Sequence, residues 1–136
     1  MSLWIYMFPV SHEWANPLTS HIINIFAWAS VTNSSFMGLM MYNGTHKWRM
    51  NQTLIMEHWH HFAFVYTAID GFTAYTDGYR LDPVFPDLGS VAPKSLDMGC
   101  KSGNSYYYNC ARAKYDDLRV WNEAKDENFI WRLWQS

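Results

Sequence analysis

Residues 57–80, EHWHHFAFVYTAIDGFTAYTDGYR, set His58, His60 and His61 around Trp59 and follow them with Asp70-Gly71 and Asp77-Gly78. Imidazole nitrogens are common zinc ligands, so metal binding is the first chemistry to weigh. On a strand, His58 and His60 share one face while His61 takes the other. A zinc site needs three or four converging ligands. No Cys, Asp or His elsewhere is placed by its spacing to complete one, and Glu57 would point away from His58. The histidines are therefore expected to be satisfied polar groups rather than ligands, and no metal ligand is assigned. Hydrolysis is the second chemistry. Glycoside cleavage needs an acid and a base or nucleophile facing one cleft, about 5–9 Å apart. Asp116 and Asp117 are adjacent and face opposite sides of a strand, and Asp117 is placed to pair with Arg119 on an outer face. No G-x-S-x-G elbow positions a nucleophile, and SHEW at 11–14 is not H-E-x-x-H. No catalytic residue is assigned, and the chain is expected not to be an enzyme.

Cys100 and Cys110 form a C-x9-C pair. That spacing is not the C-x2-C of zinc sites. In a secreted chain it would be a disulfide closing a short loop; in a cytosolic one, two free buried thiols. The loop between them carries Tyr106, Tyr107 and Tyr108, which could present an amphipathic contact surface to a protein or sugar, or pack back on the domain. Trp14, in an expected loop over 11–19, is a second aromatic candidate for binding, whereas Trp59, Trp121, Trp131 and Trp134 are expected in the core. Three N-glycosylation sequons begin at Asn33, Asn43 and Asn51, all near turn signals, and point to an extracellular surface.

The elements that would position these groups are mostly strands. The 136 residues fit one domain, with 18% aromatic and 16% charged residues, which suits a packed globular chain. A net charge of −2 gives no basic stripe for nucleic acid. No apolar run approaches the roughly 18 residues of a membrane helix. The start, MSLWIYMFPV, lacks the basic n-region of a signal peptide, so a secreted domain would be cut from a longer chain. Strands are predicted over 2–8, 21–30 (apolar on both faces, as in a central strand), 36–42, 45–50, 59–67, 72–76, 79–81, 95–99 and 115–122. Asn43-Gly44, Asp70-Gly71 and Asp77-Gly78 read as tight turns, the last two making a three-stranded meander. Residues 82–93, with three prolines, read as a long loop. Asp126 can cap a short helix with Phe129/Leu133 and Ile130/Trp134 as i,i+4 pairs. The class is all-β with a short C-terminal helix.

WHHFAFVYTAIDGFTAYTDG resembles the central hairpin of laminin G-like and pentraxin-like domains. YDDLRVWNEAKDENFI is similar to their closing strand and capping helix, and SLWIYM to an early strand. The blocks occur in family order and span nearly the whole chain. The resemblance implies a concanavalin A-like jelly-roll sandwich of two antiparallel sheets with a short C-terminal helix. It also implies that residues 1–136 are a single laminin G-like domain lacking its first strand, with an exposed edge that invites self-association. Departures from the pattern matter. Ala63 stands where the pentraxin signature has cysteine, and Ala113 where a glycine usually precedes the last strand. Met98-Gly99 is followed by Cys100-Lys101-Ser102-Gly103 instead of the acidic calcium loop, so no calcium or other cofactor is expected. Sandwich glucanases of the superfamily carry alternating carboxylates on one strand, a run missing here.

The expected function is a non-catalytic extracellular recognition or adhesion module, part of a larger secreted or membrane-anchored protein, binding a protein or glycan through its loops. The alternatives are a carbohydrate-active hydrolase relative and a structural spacer domain. Nucleic acid and membrane insertion are not expected partners.

Overall fold

The computed structural model describes residues 1–9, 15–20, 23–28, 36–42, 47–52, 54–67, 69, 71–81, 96–98 and 112–136. Within them the chain is mostly β. The strands are β1 (Ser2–Met7), β2 (Ala15–Ser20), β3 (Ile23–Trp28), β4 (Phe36–Tyr42), β5 (Lys47–Gln52), β6 (Trp59–Thr67), β7 (Gly71–Thr76), β8 (Tyr79–Arg80), β9 (Leu96–Met98) and β10 (Ala113–Arg119), followed by helix α1 (Glu127–Gln135). The chain divides into two compact units. One joins Met1–Ile5, Trp59–Ser90 and Tyr115–Ser136; the other joins Tyr6–His58 and Val91–Lys114.

The first unit is built on a sheet of order β10-β1-β6-β7-β8. Met1 N donates to Phe64 O at 2.9 Å and Phe64 N donates back to Met1 O at 2.8 Å. That exchange is the mark of an antiparallel hydrogen-bonded pair. Strands β6 and β7 pair from Phe62↔Thr76 to Thr67↔Gly71. Gly71, read from the sequence as half of a two-residue turn, thus belongs to β7, and Asp70 lies outside the described residues. The second Asp-Gly holds as expected. Thr76 pairs with Tyr79, and Asp77 (φ 51°) and Gly78 (φ 80°) both take the positive φ that a type I′ turn requires.

Burial in this sheet follows the pleat. Leu3 and Ile5 are fully buried and alternate with half-buried Trp4. Residues His61, Phe62, Ala63 and Phe64 are all buried, so both faces of β6 are covered at its centre. Trp59 is a correction. Expected in the core, it is 42% exposed, because it opens β6 directly after the turn at Met56 and Glu57. Helix α1 begins where the sequence places it. Asp126 Oδ1 accepts from Phe129 N at 2.7 Å, with Glu127 in the first turn and Arg132 in the last, each where the helix dipole favours its charge. Ile130, 1% exposed, packs with Ala63 and Tyr75, and Val65, Phe129 and Leu133 adjoin them.

The second unit carries an antiparallel sheet of order β5-β4-β3-β2-β9. Strand β3 lies between β2 and β4, the central place that its two apolar faces suggest. Tyr42 pairs with Lys47, and the Asn43-Gly44 turn read from the sequence lies outside the described residues. One expectation changes here. Residues 15–19, expected within a loop, belong to β2. Pro17 made that segment read as a loop, since proline cannot donate to a ladder. It falls where the β2–β3 register shifts between Ala15 and Leu18, the kind of irregularity that tolerates it.

Candidate functional site

The histidine-rich stretch folds into a clamp around the β7–β8 turn. His60 Nδ1 donates to Asp77 Oδ2 at 2.7 Å. The other carboxylate oxygen, Oδ1, accepts from the backbone N of His61 at 2.8 Å. Asp77 N in turn donates to His61 O at 2.8 Å. One carboxylate thus joins a side chain and a backbone amide of β6 to the turn. The ladder makes this possible, because Asp77 follows directly on Thr76, which pairs with Phe62 of β6. His58 Nδ1 donates to Met56 O at 3.1 Å. The expectation that these histidines are satisfied polar groups holds for His58 and His60.

His61 is different. It is 2% exposed, its ring lies 5.2 Å from that of Trp4, and its Nδ1 has no hydrogen-bond partner among the described residues. Burial pushes the imidazole below its ordinary pKa. The Asp77 and Asp117 carboxylates pull it partly back, and Arg119 adds to the lowering. Thr76 Oγ1 is also buried without a partner among the described residues.

The far side of the same turn is a seat for the helix. A Cβ on Gly78 would lie 2.9 Å from Trp131 Cε3 and 2.9 Å from Trp134 Cε3. Tyr79 meets both indoles, at 5.3 and 6.0 Å between ring centroids. The turn therefore links two structures, with the histidine clamp on one side and the indole pair on the other.

On β10, Arg119 Nε donates to Asp117 Oδ1 at 2.7 Å, both side chains being exposed, as the sequence suggests. Asp117 has φ 48° and its N–H is held by Asp116 Oδ1 at 2.8 Å. This kinks the strand locally, so strict alternation of Asp116 and Asp117 does not apply. In the second unit, Lys114 Nζ lies 5.0 Å from the Tyr6 ring and 5.4 Å from the Phe8 ring, with the Arg112 guanidinium 4.8 Å over Phe8. No group of three or more His, Cys, Asp or Glu side chains that could hold a metal ion occurs among the described residues.

Of the other residues singled out in the sequence, Trp14, Tyr106, Tyr107, Tyr108, Cys100, Cys110, Asn33 and Asn43 lie outside the described residues. Asn51 sits within β5 opposite Gly38, in a strand and not in a turn. The partnership of Asp77 with His60 was not anticipated from the sequence. The signal was present: a turn Asp one register step from a strand histidine is placed to reach it once the hairpin closes. The Trp4–His61 contact had no local signal, since it depends on the pairing of β1 with β6.

No family model, no curated protein and no solved structure matches this chain.

Proposed function

We propose that the chain is a non-catalytic extracellular recognition module of the laminin G-like kind, a jelly-roll sandwich that binds a protein or glycan through its loops. Support comes from the histidines. His58 is spent on the Met56 carbonyl, His60 on Asp77, and His61 is buried beside Trp4. The stretch richest in chemical groups is thus engaged in holding its own hairpin. Three of the described carboxylates are similarly occupied: Asp77 in the clamp, Asp117 with Arg119, and Asp126 at the helix cap. A five-stranded antiparallel sheet, a second five-stranded sheet and a short C-terminal helix are compatible with the inventory of such a sandwich.

In this proposal Tyr106, Tyr107, Tyr108 and Trp14 supply the contacts, a Cys100–Cys110 disulfide holds the tyrosine loop, and Asn33, Asn43 and Asn51 carry glycans. No metal takes part. The partner is a protein or glycan, and the domain belongs to a larger secreted or membrane-anchored protein.

The test is binding to an array of neutral and acidic glycans and of cell-surface ectodomains, with EDTA in parallel. The chain is assayed as such and with Tyr106, Tyr107 and Tyr108 changed to Ala together. Loss of one anchoring Tyr typically costs 1–2 kcal/mol or more, about tenfold in affinity, so the triple variant should lose its ligand. Unchanged affinity in that variant overturns the tyrosine surface, and loss of binding in EDTA overturns metal independence. Two alkylatable thiols in secreted material would remove the disulfide.

A further inference from the structure

His60 and His61 are adjacent, yet a proton meets opposite surroundings on each. A charged His60 keeps the acceptor it already has, Asp77 Oδ2 at 2.7 Å, and is partly open to solvent. A charged His61 would need acceptors for both ring nitrogens at 2% exposure, and Nδ1 has none among the described residues. The charged and titratable groups around it are few. Asp77 approaches from the β7–β8 turn, Asp117 and Arg119 from β10, and His60 from its own strand, while β1 contributes only the uncharged Trp4. Asp77 is already committed to His60 Nδ1 and His61 N, and Asp117 to Arg119. Among the described residues, both carboxylates that act on His61 are thus already engaged.

We propose that the histidine pair and the Asp77-Gly78 turn form an acid-sensitive latch that holds the C-terminal helix. At neutral pH, the His60–Asp77 bond and the two His61 backbone bonds fix the turn, and the flat Gly78 face seats Trp131 and Trp134. Protonation of His61 puts a charge into a desolvated site where Nδ1 has no acceptor among the described residues and the Asp77 carboxylate is already engaged. The clamp can relieve this by opening at the β6–β7 end. A seat defined to 2.9 Å at Gly78 does not survive a turn that moves, so α1 leaves with it. Acidification to the range of endosomal compartments would then weaken the helix contact before the domain as a whole unfolds. This does not depend on which ligand the domain binds.

The experiment is hydrogen exchange on the whole chain at pH 7.5 and 5.5, read as opening equilibria after correction for intrinsic exchange rates, with His61→Gln and His60→Gln alongside. An unfolded histidine titrating near 6.5 binds its proton about tenfold more favourably at pH 5.5 than a site that stays neutral. Opening over 71–80 and 127–135 is therefore expected to rise about tenfold in the parent chain and in His60→Gln, and to stay flat in His61→Gln. Equal protection at both pH values in the parent, a rise that persists in His61→Gln, or a rise spread evenly over β1 and β10 as well would overturn the latch. Should His61→Gln fail to fold, the imidazole NMR titration of the parent decides. His61 staying neutral at pH 5.5 in the closed form supports the latch, and an ordinary titration without loss of protection sinks it.

Discussion

Asp77 Oδ2 lies 2.7 Å from His60 Nδ1, across a turn of two residues that closes β7 onto β8. Because the other carboxylate oxygen holds His61 N, removing the side chain strands a backbone amide and an imidazole together. Asp77→Asn keeps one acceptor and suits the positive φ, since Asn tolerates that region; a loss of about 1 kcal/mol is expected. Asp77→Ala loses both bonds and strains the backbone at φ 51°, for about 2–3 kcal/mol. Urea denaturation of the two variants checks the order, and an Ala variant no weaker than Asn would show that the clamp contributes little.

Gly78→Ala is expected to be worse than an ordinary turn substitution. At φ 80° an Ala costs about 1 kcal/mol from backbone strain alone. Its Cβ would also meet Trp131 Cε3 and Trp134 Cε3 at 2.9 Å, and overpacking of that kind costs about 1–3 kcal/mol. The sum is about 2–4 kcal/mol, accompanied by a shift in tryptophan emission as α1 lifts. Combining it with Trp134→Ala should recover part of the loss. Independent, additive effects would mean that the helix is not seated on this turn.

The local parts of this arrangement were legible in the sequence, and the long-range parts were not. Asp77-Gly78 announces its turn because both positions need positive φ, and Asp126 announces the helix because it can bond Phe129 N three residues on. Both signals act within four residues. Pro17 misled, because a residue without an N–H reads as a breaker unless the bulge that accommodates it is known, and that bulge is set by pairing with β3. Trp59 misled in the same way: its size argues for the core, while its place at the start of β6 leaves it half outside. The unpaired state of His61 Nδ1 depends on β1, β6 and β10 meeting, which no spacing within 57–80 encodes.

Two substitutions in α1 should separate capping from packing. Asp126→Ala removes the bond to Phe129 N and is expected to cost about 1 kcal/mol, and Asp126→Asn close to nothing. Ile130→Ala opens a cavity at a residue 1% exposed between Ala63 and Tyr75, with an expected loss of about 2–5 kcal/mol. Thermal unfolding followed by circular dichroism gives both values. Similar losses for Asp126→Ala and Ile130→Ala would mean that the helix is held by its cap more than by its buried face.

Two buried side chains contribute to the pH dependence of stability, beside the Met1 amine, which burial holds below its ordinary value. His61 is held below its ordinary value of 6.5, chiefly by burial. Above that pH both folded and unfolded chains are neutral at this position. As pH falls through 6.5 the unfolded chain takes the proton first, and stability declines by at most about 1.4 kcal/mol per pH unit until the folded imidazole also charges. Tyr75 is held above its ordinary value of 10, first by burial and then by Glu127 and Asp126, with Arg80 opposing. Below pH 10 both states are protonated there. As pH rises through 10 the unfolded chain releases its proton first, and stability declines again. Urea midpoints measured from pH 5 to 11 should therefore show a plateau with a fall at each end. Other carboxylates and amines also titrate, so the decisive quantity is the difference between parent and variant at each pH. His61→Gln should flatten the acid side alone and Tyr75→Phe the alkaline side alone. An acid fall identical in the parent and His61→Gln would assign it to other groups, the carboxylates and the Met1 amine among them, and remove His61 from the account.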